Sequence, residues 1–222
     1  MQPPELLNVL YEDDWMIAVD KPAGQLVHPT KAPQEGDEVT MKILRDQIGQ
    51  RVHTLHRLDR PTTGVILFAK NKESTRVLRT TFDDGGIHKT YWAVTIGIPE
   101  KQSWTCDTPL RNEEDSPERT AVTHFRRLAI LAHDLALVEA LPVTGRFHQI
   151  RRHLLHEGHP IAGDYRYAGI ERCDALGAVL NTGTRMLLQA KALEFTHPMT
   201  NAEVKIEAPV DPLIAKVART AA

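Results

Sequence analysis

Mostly apolar runs of strand length over residues 6–11 and 15–19 read as two short strands either side of the polar turn Glu12-Asp13-Asp14. Lys21-Pro22-Ala23-Gly24 supplies a turn, after which Leu26-Val27-His28 resumes an extended course. Over residues 37–49 the period becomes helical: Met41, Leu44 and Ile48 share a face, and Asp37 is placed to cap the start. Val65-Ile66-Leu67-Phe68-Ala69 is an apolar run of strand length, and residues 73–82 read as a helix. Residues 87–98 read as a long strand that carries Lys89 and Tyr91. Further strands are predicted over 120–128 and 135–141, and a helix over 147–157, opened by Thr144-Gly145 and closed by Gly158-His159-Pro160.

Residues 165–184 read as irregular and glycine-dotted; regular structure returns over 186–195 and 203–208, and a short helix ends the chain. The charged, proline-containing stretch 111–119 is the best candidate for a hinge or mobile excursion. Strands outnumber helices without interleaving strictly with them. That pattern predicts an α+β fold with a mixed or largely antiparallel central sheet flanked by helices and loops. No repeat appears and no linker is strong enough to cut the chain, so residues 1–222 are expected to form a single domain.

Composition narrows the class rather than the function. At 222 residues, with 41% apolar and 25% charged, the chain is long enough for a substantial core. A formal net charge of −2 argues against a polycation that binds nucleic acid without selectivity, but leaves room for a local basic cleft. Cys106 and Cys173 have no paired spacing and suit free thiols in a reducing compartment. The acidic, proline-broken start is wrong for a signal peptide, and no apolar run approaches the roughly 20 residues of a membrane span. A soluble cytoplasmic protein is expected.

Two stretches concentrate candidate chemistry. Residues 51–70 pack His53, His56, Arg57 and Arg60 around one carboxylate, Asp59, before Pro61-Thr62-Thr63-Gly64 turns into the apolar run. On residue types alone two readings stand: an Asp that begins a turn, or a carboxylate kept ionised by cations. Residues 145–159 hold Arg146, His148, Arg151, Arg152, His153, His156 and His159 against the single acid Glu157. As a helix they would turn Phe147, Ile150 and Leu154 to the core and His148, Arg151 and Arg152 to another face. Such a face is either solvated, or binds phosphate or a buried acid. The histidine spacing is not that of a zinc site, and nucleophile-elbow and phosphate-loop motifs are absent.

Taken together, the two stretches resemble a known family. His56-Arg57-Leu58-Asp59-Arg60-Pro61-Thr62-Thr63-Gly64 is similar to the HRLD-x-x-T-S-G signature of the RluA family of pseudouridine synthases. Thr144-Gly145-Arg146-Phe147-His148-Gln149-Ile150-Arg151 resembles its TGR-x-HQ-[IL]-R motif, and residues 158–164 its GHPI-x-GD. Lys21-Pro22-Ala23-Gly24 with Val27-His28-Pro29, Lys89-Thr90-Tyr91-x-Ala93 and His197-Pro198 match further motifs in family order, over roughly residues 6 to 208. The departures are Thr63 for Ser, Val143 for Lys, Gln189 for His and Ala168 where a Gly is frequent. Residues 45–50 and 121–125 are most similar to members that modify tRNA at uridine 65.

The resemblance implies the pseudouridine-synthase catalytic fold without an N-terminal S4 domain, and isomerisation of an RNA uridine after base flipping, with no cofactor and no metal. It implies Asp59 as the essential carboxylate, nucleophile at C1′ or base at C2′, paired with Arg151 from 92 positions away. Tyr91 is implied to stack on the flipped uracil and Arg57 to fill the space it leaves. Arg60, Lys89, Arg146 and His148 are implied phosphate contacts. The expected partner is RNA, tRNA before rRNA, with no membrane, no obligate protein partner and a monomeric chain. A silent RNA-binding protein on the same fold and a glycosidase are the alternatives. The glycosidase wants a second carboxylate, and no second acid is evident near either stretch.

Overall fold

The structure, a computed structural model, describes residues 5–30, 34–111 and 116–220. In chain order its elements are β1 (Asn8–Glu12), β2 (Met16–Lys21), α1 (Thr40–Ile48), β3 (His53–Thr54), β4 (Thr63–Ala69), α2 (Lys72–Asp83), β5 (His88–Ile96) and β6 (Ser103–Cys106). There follow β7 (Thr123–Leu131), β8 (Leu135–Pro142), α3 (Gln149–His156), α4 (Ile170–Leu180), β9 (Leu188–Thr196), β10 (Glu203–Glu207) and α5 (Pro212–Ala218). The class is α+β. Two compact units divide the chain: Met1–Ile87 with Ala190–Pro209, and His88–Gln189 with Val210–Ala222.

In the first unit the strand order is β1-β2-β4-β9, with β3 on β4 and β10 on β9. The β1/β2, β2/β4, β3/β4 and β9/β10 ladders are antiparallel. Met16 and Ala18 of β2 alternate with Val65, Leu67 and Ala69 of β4 into one core, closed by Leu78 of α2, Phe195 of β9 and Ile206 of β10. The intervening Ile17, Val19, Ile66 and Phe68 are fully buried too. Both faces of β2 and β4 are therefore covered, which is why β4 reads as an unbroken apolar run rather than an alternating one.

In the second unit β5, β8, β7 and β6 follow one another, antiparallel throughout. Ala93, Ala136, Val138 and Ala140 face Ile150 and Leu154 of α3. Val94, Ile96, Leu135 and Leu137 face Leu180 of α4 and Ile214 and Val217 of α5. The two-residue period of β5 and β8 thus feeds two cores on opposite faces.

Several expectations need correction. α1 begins at Thr40 with Val39 as an N-cap that offers no side-chain bond, so Asp37 does not cap it. Its buried face is Thr40, Ile43 and Leu44, while Met41 and Ile48 are half-buried. Phe147 precedes α3 and is only half-buried, so it is not a core residue of that helix. The stretch expected to be irregular holds α4, whose glycines do not break it. Gly169 and Gly183 lie outside its ends, and Gly177 lets the Gly183 carbonyl come where a Cβ would stand 2.3 Å away. β6, unforeseen, pairs with β7 and stacks Trp104 on Phe125. The tip of the expected mobile loop, 112–115, lies outside the described residues. Its base is closed by two backbone hydrogen bonds between Leu110 and Arg119 and by an Arg111–Glu118 ion pair. Among the described residues no helix is long and apolar enough to cross a membrane.

Candidate active site

Asp59 lies in the first unit, on the loop from β3 into β4, and that loop is fixed at several points. His56 stacks on Phe82, and its Nε2 accepts the Leu67 backbone N–H at 3.0 Å, which docks the loop onto β4. Leu58 is buried, and the Thr62 N–H closes a turn on the Asp59 carbonyl at 3.0 Å. Gly64 has φ +102, and a Cβ there would stand 2.0 Å from the Ala190 carbonyl oxygen, so only glycine lets the loop enter β4. Asp59 is left half-exposed, while Arg57 before it is exposed.

The Lys21 turn braces the other side of this loop. Lys21 is 0% exposed, and its Nζ donates to the carbonyls of Pro22, Gln25 and Arg60 at 2.8, 2.9 and 3.1 Å. A buried ammonium thus has three acceptors, as its three donors require. The Gly24 N–H donates to the Arg60 carbonyl at 2.9 Å and the Arg60 Nε to the Gly24 carbonyl at 2.8 Å. Arg60 Nη2 also stands 3.0 Å from Asp37 Oδ1, an ionic contact without hydrogen-bond angles. Asp37, expected as a helix cap, is instead the acid beside Arg60.

The second unit carries the other predicted residues. Lys89 and Tyr91 are two positions apart on β5, so they share a face of the strand. Tyr91 packs on the cluster that contains Ile150 and Leu154, which joins β5 to α3. Lys89 is half-buried, and desolvation pushes its ammonium below the usual lysine range. Gln149 gathers the start of α3. Its Oε1 accepts from Thr144 Oγ1 and the Arg146 N–H, and its Nε2 donates to the Val122 carbonyl and Thr123 Oγ1. Arg146 Nε donates to the Thr120 carbonyl at 3.0 Å.

Arg151 is held by a partner that sequence reasoning missed. Its Nε and Nη2 donate to Asp164 Oδ2 and Oδ1 at 2.6 and 2.8 Å, with side chains only 7% and 1% exposed. This bidentate pair fixes the guanidinium plane. The Tyr167 ring lies over that guanidinium, 5.0 Å from its centre, and the Tyr167 hydroxyl meets His148 Nδ1 at 3.0 Å. His148 is in the left-handed region, φ 53, and its ring stacks on Phe147 at 3.7 Å. Contrary to expectation, an acid does stand near the second stretch: Asp164 adjoins it. Both of its oxygens are engaged by the Arg151 guanidinium, so it is not placed to act as a glycosidase's second acid. Asp164 was legible only as a motif letter; its buried contact with Arg151 leaves no periodic signal. The loop with Asp59 and the cluster with Tyr91 and Arg151 belong to different units.

A family model described as RNA pseudouridylate synthase matches residues 15–156, which takes in the Asp59 loop, Tyr91 and α3. The chain belongs to this family. The synthase is 38% identical to "tRNA pseudouridine synthase C" of Pasteurella multocida (strain Pm70), with 92% of each chain covered. It is 39% identical to the protein of that name from Salmonella typhimurium, with 93% of this chain and 86% of the relative covered. Among solved structures, "Human RNA Pseudouridylate Synthase Domain Containing 4" superposes with a TM-score of 0.77 at 24% identity, covering 96% of this chain and 92% of that one. The synthase therefore shares that fold and is an RNA-modifying isomerase by family.

Proposed function

We propose that this synthase converts one uridine of tRNA to pseudouridine, the uridine 65 type, acting as a monomer in the cytoplasm. The observation that carries the tRNA reading is the 38–39% identity, over more than nine-tenths of the chain, to relatives named tRNA pseudouridine synthase C. The reaction breaks the N1–C1′ bond, turns the uracil and forms C5–C1′; the C5 proton leaves and N1 gains one. Bonds and electrons balance without a redox partner.

The target sugar is out of reach in a stacked helix, so the nucleotide is flipped at a cost of a few kcal/mol. Asp59 acts at the sugar, and the half-exposed, braced loop supports that role by holding its carboxyl group without burying it. Tyr91 stacks on the flipped uracil, and Arg151 supplies positive charge in a fixed plane. Arg57 takes the space the base leaves, and Arg60, Lys89, Arg146 and His148 meet phosphates. The test is to map pseudouridine across tRNA and rRNA in cells with and without this chain. One tRNA position lost with the chain is the expected result; loss confined to rRNA overturns the tRNA reading.

A further inference from the structure

We infer that Tyr167 is a positioning residue for this reaction, acting through the guanidinium of Arg151; the inference rests on the synthase reading above. Two hydrogen bonds to Asp164 set the direction of the guanidinium within its plane. Those two bonds do not themselves govern a tilt about the axis through them. The Arg151 Cζ lies over the Tyr167 ring, 5.0 Å from its centre, and the ring opposes that tilt. It also presents the negative face of its π-system to the cation.

The segment that carries Tyr167 is built for this placement. Gly163 has φ +77, and a Cβ there would stand 2.0 Å from the Arg185 carbonyl oxygen, so the chain passes tightly beneath Met186 before it reaches Asp164. The N–H groups of Tyr167 and Ala168 then donate to the Asp164 carbonyl at 3.1 and 2.8 Å, and the Arg166 N–H to its Oδ1 at 3.2 Å. One turn therefore delivers both the in-plane partner and the face partner of Arg151. At its far end Tyr167 is set by His148, through the 3.0 Å contact between hydroxyl and Nδ1. His148 in turn is clamped by the 3.7 Å stack on Phe147. The constraint runs Phe147, His148, Tyr167, Arg151, with Asp164 as its counterweight.

A buried ion pair is by itself weak support for stability, since desolvation offsets its attraction. A guanidinium locked in plane and tilt is instead what preorganised electrostatic catalysis needs, because no reorganisation remains at the moment of reaction. Tyr167 thus acts on turnover rather than on RNA affinity.

The experiment is a double-mutant cycle read by tritium release from tRNA carrying 5-tritiated uridine, with kcat and KM separated. Tyr167→Leu is expected to lower kcat about ten-fold while KM for tRNA stays within about two-fold. Tyr167→Phe keeps the ring and loses only the His148 bond, so it is expected to recover most of that loss, to within about three-fold of wild type. In an Arg151→Lys background, where no fork remains to be held, neither change is expected to lower kcat further. Equal losses in both backgrounds, or a loss seen in KM alone, overturn the inference. Should Tyr167→Leu not fold, Tyr167→Gln, which also removes the ring, takes its place in the cycle with the same expected outcomes. Wild type that releases no tritium from any RNA would count against the synthase reading instead.

Discussion

Lys21 shows how much of a proposed active-site loop can depend on a residue with no chemistry of its own. Its Nζ joins the carbonyls of Pro22, Gln25 and Arg60 in a place closed to water. Lys21→Met takes this donor from the Pro22 and Gln25 carbonyls, each worth about 1–3 kcal/mol when unpaired, while the Arg60 carbonyl keeps the Gly24 N–H. Urea unfolding is expected to show a loss of about 3 kcal/mol or more, and kcat is expected to fall with it because the Arg60 carbonyl adjoins Asp59. A loss under about 1 kcal/mol would show that the carbonyls find other partners. At this scale the chain was partly readable. Asp59, Tyr91 and Arg151 stood out through motif resemblance, whereas Lys21 and Asp164 were motif letters without a role. Their roles come from burial and from partners 39 and 13 residues away, which no local pattern encodes.

Elements carry the next level of constraint. α3 is fastened to β7 by His153, which is fully buried, with Nδ1 2.9 Å from Thr123 Oγ1 and Nε2 3.1 Å from the Thr108 carbonyl. Burial, first of all, holds its pKa below the usual 6.5, and neighbouring Arg152 and His156 push the same way. The unfolded chain takes up this proton before the folded one does, so the native state loses stability as pH falls below about 6.5 and keeps it in full above. Melting temperature measured from pH 7.5 to 5.5 is expected to drop more for wild type than for His153→Gln; parallel curves would contradict this. β4 offers a second test. Gly64→Ala places a methyl 2.0 Å from the Ala190 carbonyl oxygen at φ +102, and a destabilisation above about 2 kcal/mol is expected in denaturant titration. Most strands and helices were legible because their apolar periods survive in the chain; β6, four residues long, was too short to show one. α4 was not, because Gly169, Gly177 and Gly183 look like breakers until the close approach at Gly177 explains one and the helix ends explain the others. The cap of α1 failed for a similar reason: Asp37 was drawn off to Arg60.

The whole molecule carries a net charge of −2, so any RNA affinity has to come from cations placed locally rather than from overall attraction. Arg60 is exposed on the Asp59 loop and is one such cation. Arg60→Ala is expected to reduce the slope of log affinity against log salt by about 0.7–0.9, the share of one phosphate. An unchanged slope would remove Arg60 from the phosphate contacts. Each of the two units has its own core and its own part of the proposed chemistry, the carboxylate in one and the tyrosine and arginine in the other. In the proposed reaction Asp59 performs the isomerisation on tRNA. Single-turnover tritium release from 5-tritiated tRNA, wild type beside Asp59→Asn, tests it most directly. The expected result is release by wild type and none by Asp59→Asn, with folding and tRNA affinity retained; release by Asp59→Asn at the wild-type rate would contradict it.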